Sequence, residues 1–216
     1  MSRYEYARDP AAIYSESFAT VRREANLARF DAAEADIAVR MVHACGHVPI
    51  ADDVVFGGGF VPAVERALRA GAPIFCDCEM VRRGVIERIL PTAASAPRCC
   101  LTHSDVPALA NRLGTTRSAA AVELWRDELA GAVVLIGNAP TALFALLEGL
   151  HAGWPSPAAV IGIPVGFVGA AESKAALAED AEALGLPFVT VRGRLGGSAV
   201  ASAVVNAVAA RLGAAP

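Results

Sequence analysis

The chain alternates short apolar runs with stretches of helical periodicity. Val133–Ile136 is a run of four apolar residues, typical of a buried strand, and a short turn follows it. Pro140 then suits the first position of a helix, because its missing N–H would have no partner there. The same strand, turn and helix pattern recurs over residues 159–174 and 188–210. The pattern predicts buried parallel strands joined by helices.

Further strands and helices fit the same scheme. Strands are predicted at residues 54–56, 73–78, 98–102, 157–163 and 187–191. Helices are predicted at residues 60–70 and 119–130, and further helices begin at Pro10, Asp31 and Asp105. Strands that alternate with helices call for a parallel sheet with helices on both faces. We therefore expect an α/β fold: a single domain over residues 1–216, with a mostly parallel sheet covered on both faces and N-terminal helices.

The apolar content raises the question of a membrane. Hydrophobic residues make up 55% of the chain, charged residues only 19%, and the mean hydropathy is +0.44. Two uncharged runs, residues 129–147 and 149–171, are long enough to cross a bilayer. However, Gly-Asn-Ala-Pro interrupts the first run, and three prolines and five glycines interrupt the second. Buried parallel strands explain both runs better, and the apolar surplus favours a subunit interface.

The net charge and the cysteines limit the ligands and the cellular compartment that the sequence suits. The net charge is -3, and no basic stretch is interleaved with aromatic residues, which argues against a nucleic-acid ligand. The five cysteines are an odd number, and the polar opening MSRYEYARDP is not a signal peptide, so we expect reduced thiols in the cytoplasm. The cysteine spacings lack Cys-x-x-Cys, so no metal site is expected.

The first predicted helix carries one apolar stripe and a serine beside it. Tyr14, Phe18, Val21 and Ala25 recur at helical spacing. Ser17 lies next to that stripe, and the pattern leaves open whether it is a surface serine or a functional one.

The second predicted helix places a histidine at its end. It opens at Asp31 with Glu34 three residues on, the arrangement of a capping box, and should stop near Gly46. His43 then lies in the last turn, where the helix dipole favours the imidazolium.

A polar stripe on that helix has an alternative interpretation. Asp36, Arg40, His43 and His47 share one face. The face could be merely solvated, with an Asp36–Arg40 ion pair and an ordinary histidine. A metal site from His43 and His47 is disfavoured, because the helix should end before His47.

The strongest anion site suggested by the residues themselves follows the last predicted strand. Arg192 and Arg194 lie among three glycines, and Ser198 is placed to cap the final helix. Arginines at a helix amino end suit an anionic ligand, although a plain basic turn is the alternative.

Other residues should approach the same edge of the sheet. Asn138 and Thr141 lie at the central turn, whose backbone N–H groups form a potential anion site. Asp77 ends a strand and either contacts a ligand or caps the next helix. Arg117 lies at a helix start, where the dipole opposes its charge, so it either serves an anion from elsewhere or is a surface residue.

The sequence lacks the motifs of several enzyme classes. The chain has no G-x-S-x-G, no G-x-G-x-x-G and no phosphate-loop motif, which counts against the alternative of a nucleotide-binding enzyme. It also shows no carboxylate pair for hydrolysis. What remains suits a polyanionic small molecule that needs at most one proton moved, and one of the four histidines, His43, is the candidate to move it.

Six stretches together resemble the precorrin-8X methylmutase family. They are RMVHACG, GAPIFCD, TRSAAAVELW, IGNAPTALFALLE, GIPVGFVGAAESK and VRGRLGGSA, and the resemblance runs from about residue 4 to residue 206. It implies an isomerase of cobalamin biosynthesis. Such an enzyme moves one methyl group of precorrin-8X from ring carbon 11 to ring carbon 12, giving hydrogenobyrinate by a 1,5-sigmatropic shift that needs no cofactor.

The resemblance also implies roles for individual residues. His43 aligns with the family's proton donor, and Ser17, Arg40 and Arg117 with contacts to the substrate carboxylates. Arg192, Arg194 and Ser198 are further substrate contacts by the same resemblance, whereas Asn138 and Thr141 rest on their place in the central turn. The family is homodimeric, with sites near the subunit boundary. Hand-over of the product to the next enzyme of the pathway is a separate expectation for this chain.

Two questions stay open at the level of sequence. A non-catalytic carrier of a corrin intermediate would need a similar polycarboxylate site. A site for carboxylates also need not touch the ring centre, so the sequence leaves open whether the substrate contains cobalt.

Overall fold

The computed structural model describes residues 3–213, apart from the side chain of Ala94. The predicted domain limits at residues 1 and 216 lie outside the described residues. Within the described part, a single six-stranded sheet carries the helices, as expected for a single α/β domain.

Five of the six strands are parallel. The strands are β1 (Val54–Gly57), β2 (Ile74–Cys76), β3 (Pro97–Cys99), β4 (Val133–Ile136), β5 (Ala159–Gly162) and β6 (Phe188–Val191). Their order across the sheet is β1-β6-β5-β4-β2-β3, and β1 is antiparallel to β6. The prediction of a mostly parallel sheet is confirmed.

Ten α-helices connect and cover these strands within residues 3–213. They are α1 (Pro10–Glu24), α2 (Ala32–Cys45), α3 (Ile50–Asp53), α4 (Phe60–Arg69), α5 (Glu79–Gly84), α6 (Val106–Leu113), α7 (Arg117–Glu123), α8 (Pro140–His151), α9 (Ala170–Asp180) and α10 (Ser198–Gly213). Short 3-10 turns at Glu87–Ile89, Ala93–Ser95 and Arg126–Glu128 complete the connections.

The strand order creates a switch point between β2 and β4. From β2 the chain first moves outward to β3, then returns to the other side of β2 and adds β4, β5 and β6 in order. Connections therefore leave β2 and β4 in opposite directions, which opens a crevice at their carboxyl ends. In doubly wound sheets ligands bind at such a crevice.

The sheet separates two apolar cores. Along β4, Val133 and Leu135 face a core shared with α2, α4, α5 and α10, whereas Val134 and Ile136 face a core shared with α7, α8 and α9. All four residues are buried, which explains why the strand is a continuous apolar run. Helices on both faces confirm the predicted architecture.

One predicted helix is shorter than expected. The helix predicted over residues 119–130 is α7, which ends at Glu123, and a 3-10 turn at Arg126–Glu128 follows it. Between them Trp125 is fully buried and stacks on Phe75 of β2, with ring centroids 5.5 Å apart. Packing of Trp125 in the core therefore takes the place of a continuous regular helix in this segment.

The predicted limits of α2 are confirmed. Asp31 accepts hydrogen bonds from the N–H groups of Ala33 and Glu34, and the Glu34 side chain returns to the Asp31 N–H, which forms a capping box. Gly46 ends the helix with φ of 64°, a conformation that glycine adopts without strain.

Helix α2 runs antiparallel to α10 and so carries His43 toward the carboxyl edge of the sheet. Near its start, Asp36 accepts a hydrogen bond of 2.7 Å from Arg211 at the end of α10. Beyond its end, α3 leads into β1, whose first residue Val54 pairs with Val191 at the end of β6.

Within residues 3–213, none of the helices combines the length and apolar character that crossing a lipid bilayer requires. The two uncharged runs of the sequence are instead strands and helices of the buried sheet.

The capping box of α2 generates a stability prediction. Replacing Asp31 by Ala leaves two N–H groups of the first turn without their acceptor, and we expect the free energy of unfolding to fall by about 1 kcal/mol. Urea denaturation measures the change. Asp31→Asn keeps an acceptor and is the matched control. Equal stability of the Ala and Asn variants would contradict the role of the cap.

Candidate functional site

His43, Ser17 and Arg40 form a cluster where α1 packs on α2. The Ser17 Oγ lies 2.9 Å from Nδ1 of the exposed His43 imidazole. The ring of Phe18 lies edge-on to the imidazole, with centroids 5.0 Å apart. The side of the imidazole ring that bears Nδ1 is therefore held by a hydroxyl group.

Arg40 presents its guanidinium group to aromatic rings rather than to a carboxylate. Its Cζ lies 5.8 Å from the Tyr14 ring centroid and 5.3 Å from that of Phe18. The alternative of an Asp36–Arg40 ion pair is wrong, because Asp36 instead bridges two arginines. Within residues 3–213 the Arg40 guanidinium has no ion-pair partner, so it is available to an anion.

A cleft of about 240 Å³ adjoins this cluster between α1, α2 and α10. Arg40 lines it together with Phe18, Arg22 and Arg211. Its basic side chains are partly neutralised, since Asp36 pairs with Arg22 and Arg211.

The switch point between β2 and β4 is filled by the protein's own carboxylate. Asp77 is only 2% exposed, and its two oxygens accept hydrogen bonds from the backbone N–H groups of Gly137, Asn138 and Ala139 at 2.7–3.0 Å. The sequence predicted a ligand anion at this turn. That prediction is wrong as stated, because Asp77 occupies the three donors.

Two opposing effects act on the Asp77 carboxyl group. Burial raises its pKa, while the hydrogen bonds from Ala139, Gly137 and Asn138 lower it. Neither sequence-based role applies. Asp77 does not cap α5, whose first turn has no side-chain cap, and its oxygens face the turn.

The predicted residues of the central turn lie at its outer side. The side chain of Asn138 is exposed, and its N–H bonds to Asp77. The hydroxyl of Thr141, in the first turn of α8, lies 2.8 Å from the hydroxyl of Thr116. This contact joins the start of α8 to the start of α7.

Arg117 is the first residue of α7 and is exposed. Thr116 caps the helix by accepting a hydrogen bond from the N–H of Ala119. Among the described residues no carboxylate pairs with Arg117, although the helix dipole disfavours a cation there. The structure thus leaves this charge exposed, one residue after the Thr116 that contacts Thr141.

The segment after β6, residues 192–197, is called the β6 loop below. Arg192 and Arg194 are exposed, and the guanidinium of Arg194 lies 5.5 Å from the ring centroid of Phe167. Neither arginine has an ion-pair partner within residues 3–213.

The predicted cap of the final helix is wrong. Ser198 is itself the first residue of α10, and the carbonyl of Gly197 receives the first helical hydrogen bond, from Ala201. The Ser198 hydroxyl instead lies 3.6 Å from the thiol of Cys78, the residue before α5. The glycine takes the capping position because its φ of 122° suits a residue without a side chain.

The candidate residues fall into three groups at one edge of the sheet. The first is Ser17, Arg40 and His43 on α1 and α2; the second is Arg117, Asn138 and Thr141 at the starts of α7 and α8; the third is Arg192, Arg194 and Ser198. The helices of the first two groups cover opposite faces of the sheet. No described contact joins one group to another, so a ligand that touches all three must be large.

Sequence reasoning missed two apolar residues beside the third group, where Phe167 contacts Arg194. Phe167 and Val168 are 85% and 89% exposed, in the loop between β5 and α9. Two consecutive large apolar residues flanked by glycines in the predicted turn were a signal for them. An apolar surface beside the arginines of the β6 loop suits a ligand that is both apolar and acidic.

Burial disfavours the thiolate form of two cysteines at this edge, Cys76 and Cys99. Cys76 of β2 lies opposite Cys99 of β3, and burial raises the pKa of both, that of Cys99 to about 11. Within residues 3–213, no three His, Cys, Asp or Glu side chains are grouped so that they could hold a metal ion.

Comparison with known proteins gives a consistent result. A family model described as precorrin-8X methylmutase matches residues 12–211. A precorrin-8X methylmutase of Sinorhizobium sp is 57% identical over 209 residues, which cover 97% of this chain and 98% of the relative. One from Pseudomonas aeruginosa is 58% identical over 205 residues, covering 95% and 97% of the two chains.

A solved structure shows the same fold. The precorrin-8X methyl mutase from Thermus thermophilus superposes with a TM-score of 0.82 at 36% sequence identity, covering 93% of this chain and 95% of the other.

The turn held by Asp77 generates a second prediction. Asp77→Asn keeps the size of the side chain but replaces one acceptor oxygen by an amide that donates, so at least one buried N–H loses its partner. We expect the free energy of unfolding to fall by about 1–3 kcal/mol. Chemical denaturation measures it. Asp127→Asn, at an exposed aspartate, is the control, and an equal effect of both substitutions would contradict the assignment.

Proposed function

We propose a reaction for this chain, which belongs to the precorrin-8X methylmutase family and is an isomerase of cobalamin biosynthesis. It moves the methyl group of precorrin-8X from ring carbon 11 to ring carbon 12, with His43 as proton donor. The family assignment favours the isomerase prediction over the carrier alternative. The proposed substrate is the one for which both close relatives are named.

The observation that carries the proposal is the contact between Ser17 and His43. A histidine that donates a proton must first be an imidazolium, in which both ring nitrogens carry hydrogen. The Nδ1–H then donates to the Ser17 hydroxyl, 2.9 Å away, and the Nε2–H is left for the substrate. The hydroxyl orients the ring in the way that general acid catalysis requires.

The proposed reaction needs little more from the protein. In a 1,5-sigmatropic shift the bond from the methyl group to carbon 11 breaks as its bond to carbon 12 forms. No electrons enter or leave, and the proton lent by His43 to the macrocycle returns when the shift is complete. Orientation of the substrate and one proton are therefore the main contributions of the protein.

We propose that the unpaired arginines bind the carboxylates of the macrocycle. Arg40, Arg117, Arg192 and Arg194 are not neutralised by any carboxylate of residues 3–213. Charge-assisted hydrogen bonds from such groups each contribute about 1.5–3 kcal/mol. Ser17, Asn138, Thr141 and Ser198 supply the neutral polar contacts of the same site.

We further propose that the protein is a homodimer. Large apolar side chains are exposed near the N-terminus, at Tyr4, Tyr6 and Tyr14, and in the loop with Phe167 and Val168. A second copy that covers part of this surface would also add its own arginines to a site whose groups are separated in one subunit.

Two further expectations accompany this function. We propose that the enzyme works in the cytoplasm, which is supported by five free cysteines among the described residues. Transfer of the product to the next enzyme of the pathway stays a prediction.

Removal of the proton donor should affect turnover rather than binding. We expect His43→Ala to lower kcat by about 10²–10⁴-fold, the usual contribution of a general acid, and to change KM only slightly. The conversion of precorrin-8X to hydrogenobyrinate, followed by absorption spectroscopy, gives both constants.

His47→Ala is the control for this experiment, since His47 is exposed and lies beyond the end of α2. It should keep normal turnover. Wild-type turnover of His43→Ala would remove the proposed proton donor, and loss of turnover in His47→Ala alone would transfer the role to that residue.

Removal of an unpaired arginine should affect binding. We expect Arg117→Ala to raise KM by about 10–100-fold while kcat changes little, because the lost charge-assisted hydrogen bond acts on substrate and transition state alike. The same spectroscopic assay measures the change.

Arg69→Ala is the matched control. Arg69 is also exposed and has no ion-pair partner in the described part of the chain, but it ends α4 just before β2 begins, at the opposite edge of the sheet. A similar rise of KM in both variants would indicate a general charge effect and contradict a specific contact.

A further inference from the structure

The chain contains a single lysine, and that lysine is buried. The other basic residues are eighteen arginines and four histidines, and Lys174 of α9 is only 1% exposed. A lysine is rarely buried without a counter-ion, because removing its charge from water is unfavourable. Its presence therefore calls for an explanation that the proposed reaction does not provide.

The Lys174 ammonium group has one hydrogen-bond partner within residues 3–213. It donates to the backbone carbonyl of Leu195 at 2.5 Å, and no carboxylate lies within ion-pair distance. Leu195 is at the centre of the β6 loop, between Arg194 and the glycines that precede α10. The buried ammonium thus contacts the segment that carries two proposed substrate ligands.

Other contacts hold the β6 loop at its ends and at Arg194 and Gly196, on either side of Leu195. Its ends are held by backbone hydrogen bonds from Arg192 to Asp53 at 2.8 Å and from Gly197 to Ile163 at 2.9 Å. The carbonyl of Arg194 accepts a longer bond, 3.3 Å, from Gly166. Gly193 and Gly197 give the backbone additional freedom. Without the lysine, the carbonyl at the centre of the loop would lose its partner.

We propose that Lys174 is a positioning residue that fixes the β6 loop through the Leu195 carbonyl, so that Arg192 and Arg194 are held ready for the substrate carboxylates. The inference rests on the proposed substrate-binding role of this loop. Lys174 itself does not touch the substrate. Its buried position lets it act from beneath the loop, on the side away from the ligand.

The electrostatic surroundings agree with this role. Burial lowers the pKa of Lys174 to about 8, while Asp53, the last residue of α3, raises it. At neutral pH the amine is therefore still largely protonated, and its hydrogen bond to Leu195 is charge-assisted. The exposed guanidinium groups of Arg192 and Arg194 lie on the same loop, and Glu172 on α9 is exposed.

The test compares substrate binding with stability in Lys174→Met. Methionine fills a similar volume without a buried charge, so we expect a melting temperature equal to or above that of the wild type. Because the loop loses its central hydrogen bond, KM for precorrin-8X should rise about tenfold with kcat within about threefold. A merely structural residue would lower the melting temperature instead.

Thr190→Val is the matched control. The Thr190 hydroxyl also donates to a buried carbonyl, that of Gly162 at 2.5 Å, but both residues lie within the sheet. This variant should lose stability and keep its KM.

A double variant, Arg192→Ala with Arg194→Ala, separates the two proposals. If it raises KM and Lys174→Met does not, the role of Lys174 is overturned and the function of the loop stands. If neither variant raises KM, the loop does not bind substrate and both proposals fail. A rise of KM in both, with stability retained in Lys174→Met, supports the inference.

Spectroscopy on the unaltered protein gives an independent test. Protein labelled with ζ-¹⁵N lysine and carrying no lysine in any tag yields one amine signal, since the chain has one lysine. We expect its titration midpoint near 8 rather than 10.5, and slower proton exchange when hydrogenobyrinate is bound. A midpoint near 10.5 with exchange unaffected by hydrogenobyrinate would overturn the proposal.

Discussion

The carboxylate of Asp77 fixes the place where the rest of the site can be built. It lies at the end of β2 and binds three successive N–H groups at the end of β4, so it joins the two strands that flank the switch point. In other doubly wound sheets this crevice receives a ligand. Here an internal anion occupies it, and candidate binding groups are found on the rim around it.

The groups on this rim suit a large acidic ligand. The cluster of Ser17, Arg40 and His43 belongs to one face of the sheet, and Arg117 belongs to the other. A macrocycle with several carboxylate arms, or a site shared by two subunits, would suit groups on opposite faces of the sheet. The exposed Phe167 and Val168 add apolar surface beside Arg194.

Arginine and lysine have different roles in this protein. Arg117, Arg192 and Arg194 are exposed and Arg40 is half-buried, and none of them has a carboxylate partner in the described chain, so their charge is available to a ligand. The single lysine is buried and bonds to a carbonyl. An ammonium group can lose its proton when burial makes the charged form unfavourable, whereas a guanidinium group stays charged. The buried position therefore suits lysine better than arginine.

The sequence by itself determined the features that depend on neighbours along the chain. The apolar run Val133–Ile136, the capping box of Asp31 and the stop at Gly46 were all correctly predicted, because each rests on backbone hydrogen bonds or burial within a few residues. The family resemblance, carried by short motifs, likewise needed no coordinates. Only the tertiary structure decided which side chains become partners.

Asp77 meets a turn 60 residues away, Asp36 pairs with Arg211 rather than with Arg40, and Ser198 faces Cys78. Polar side chains choose partners by the packing of distant elements, and sequence spacing carries no information about that packing.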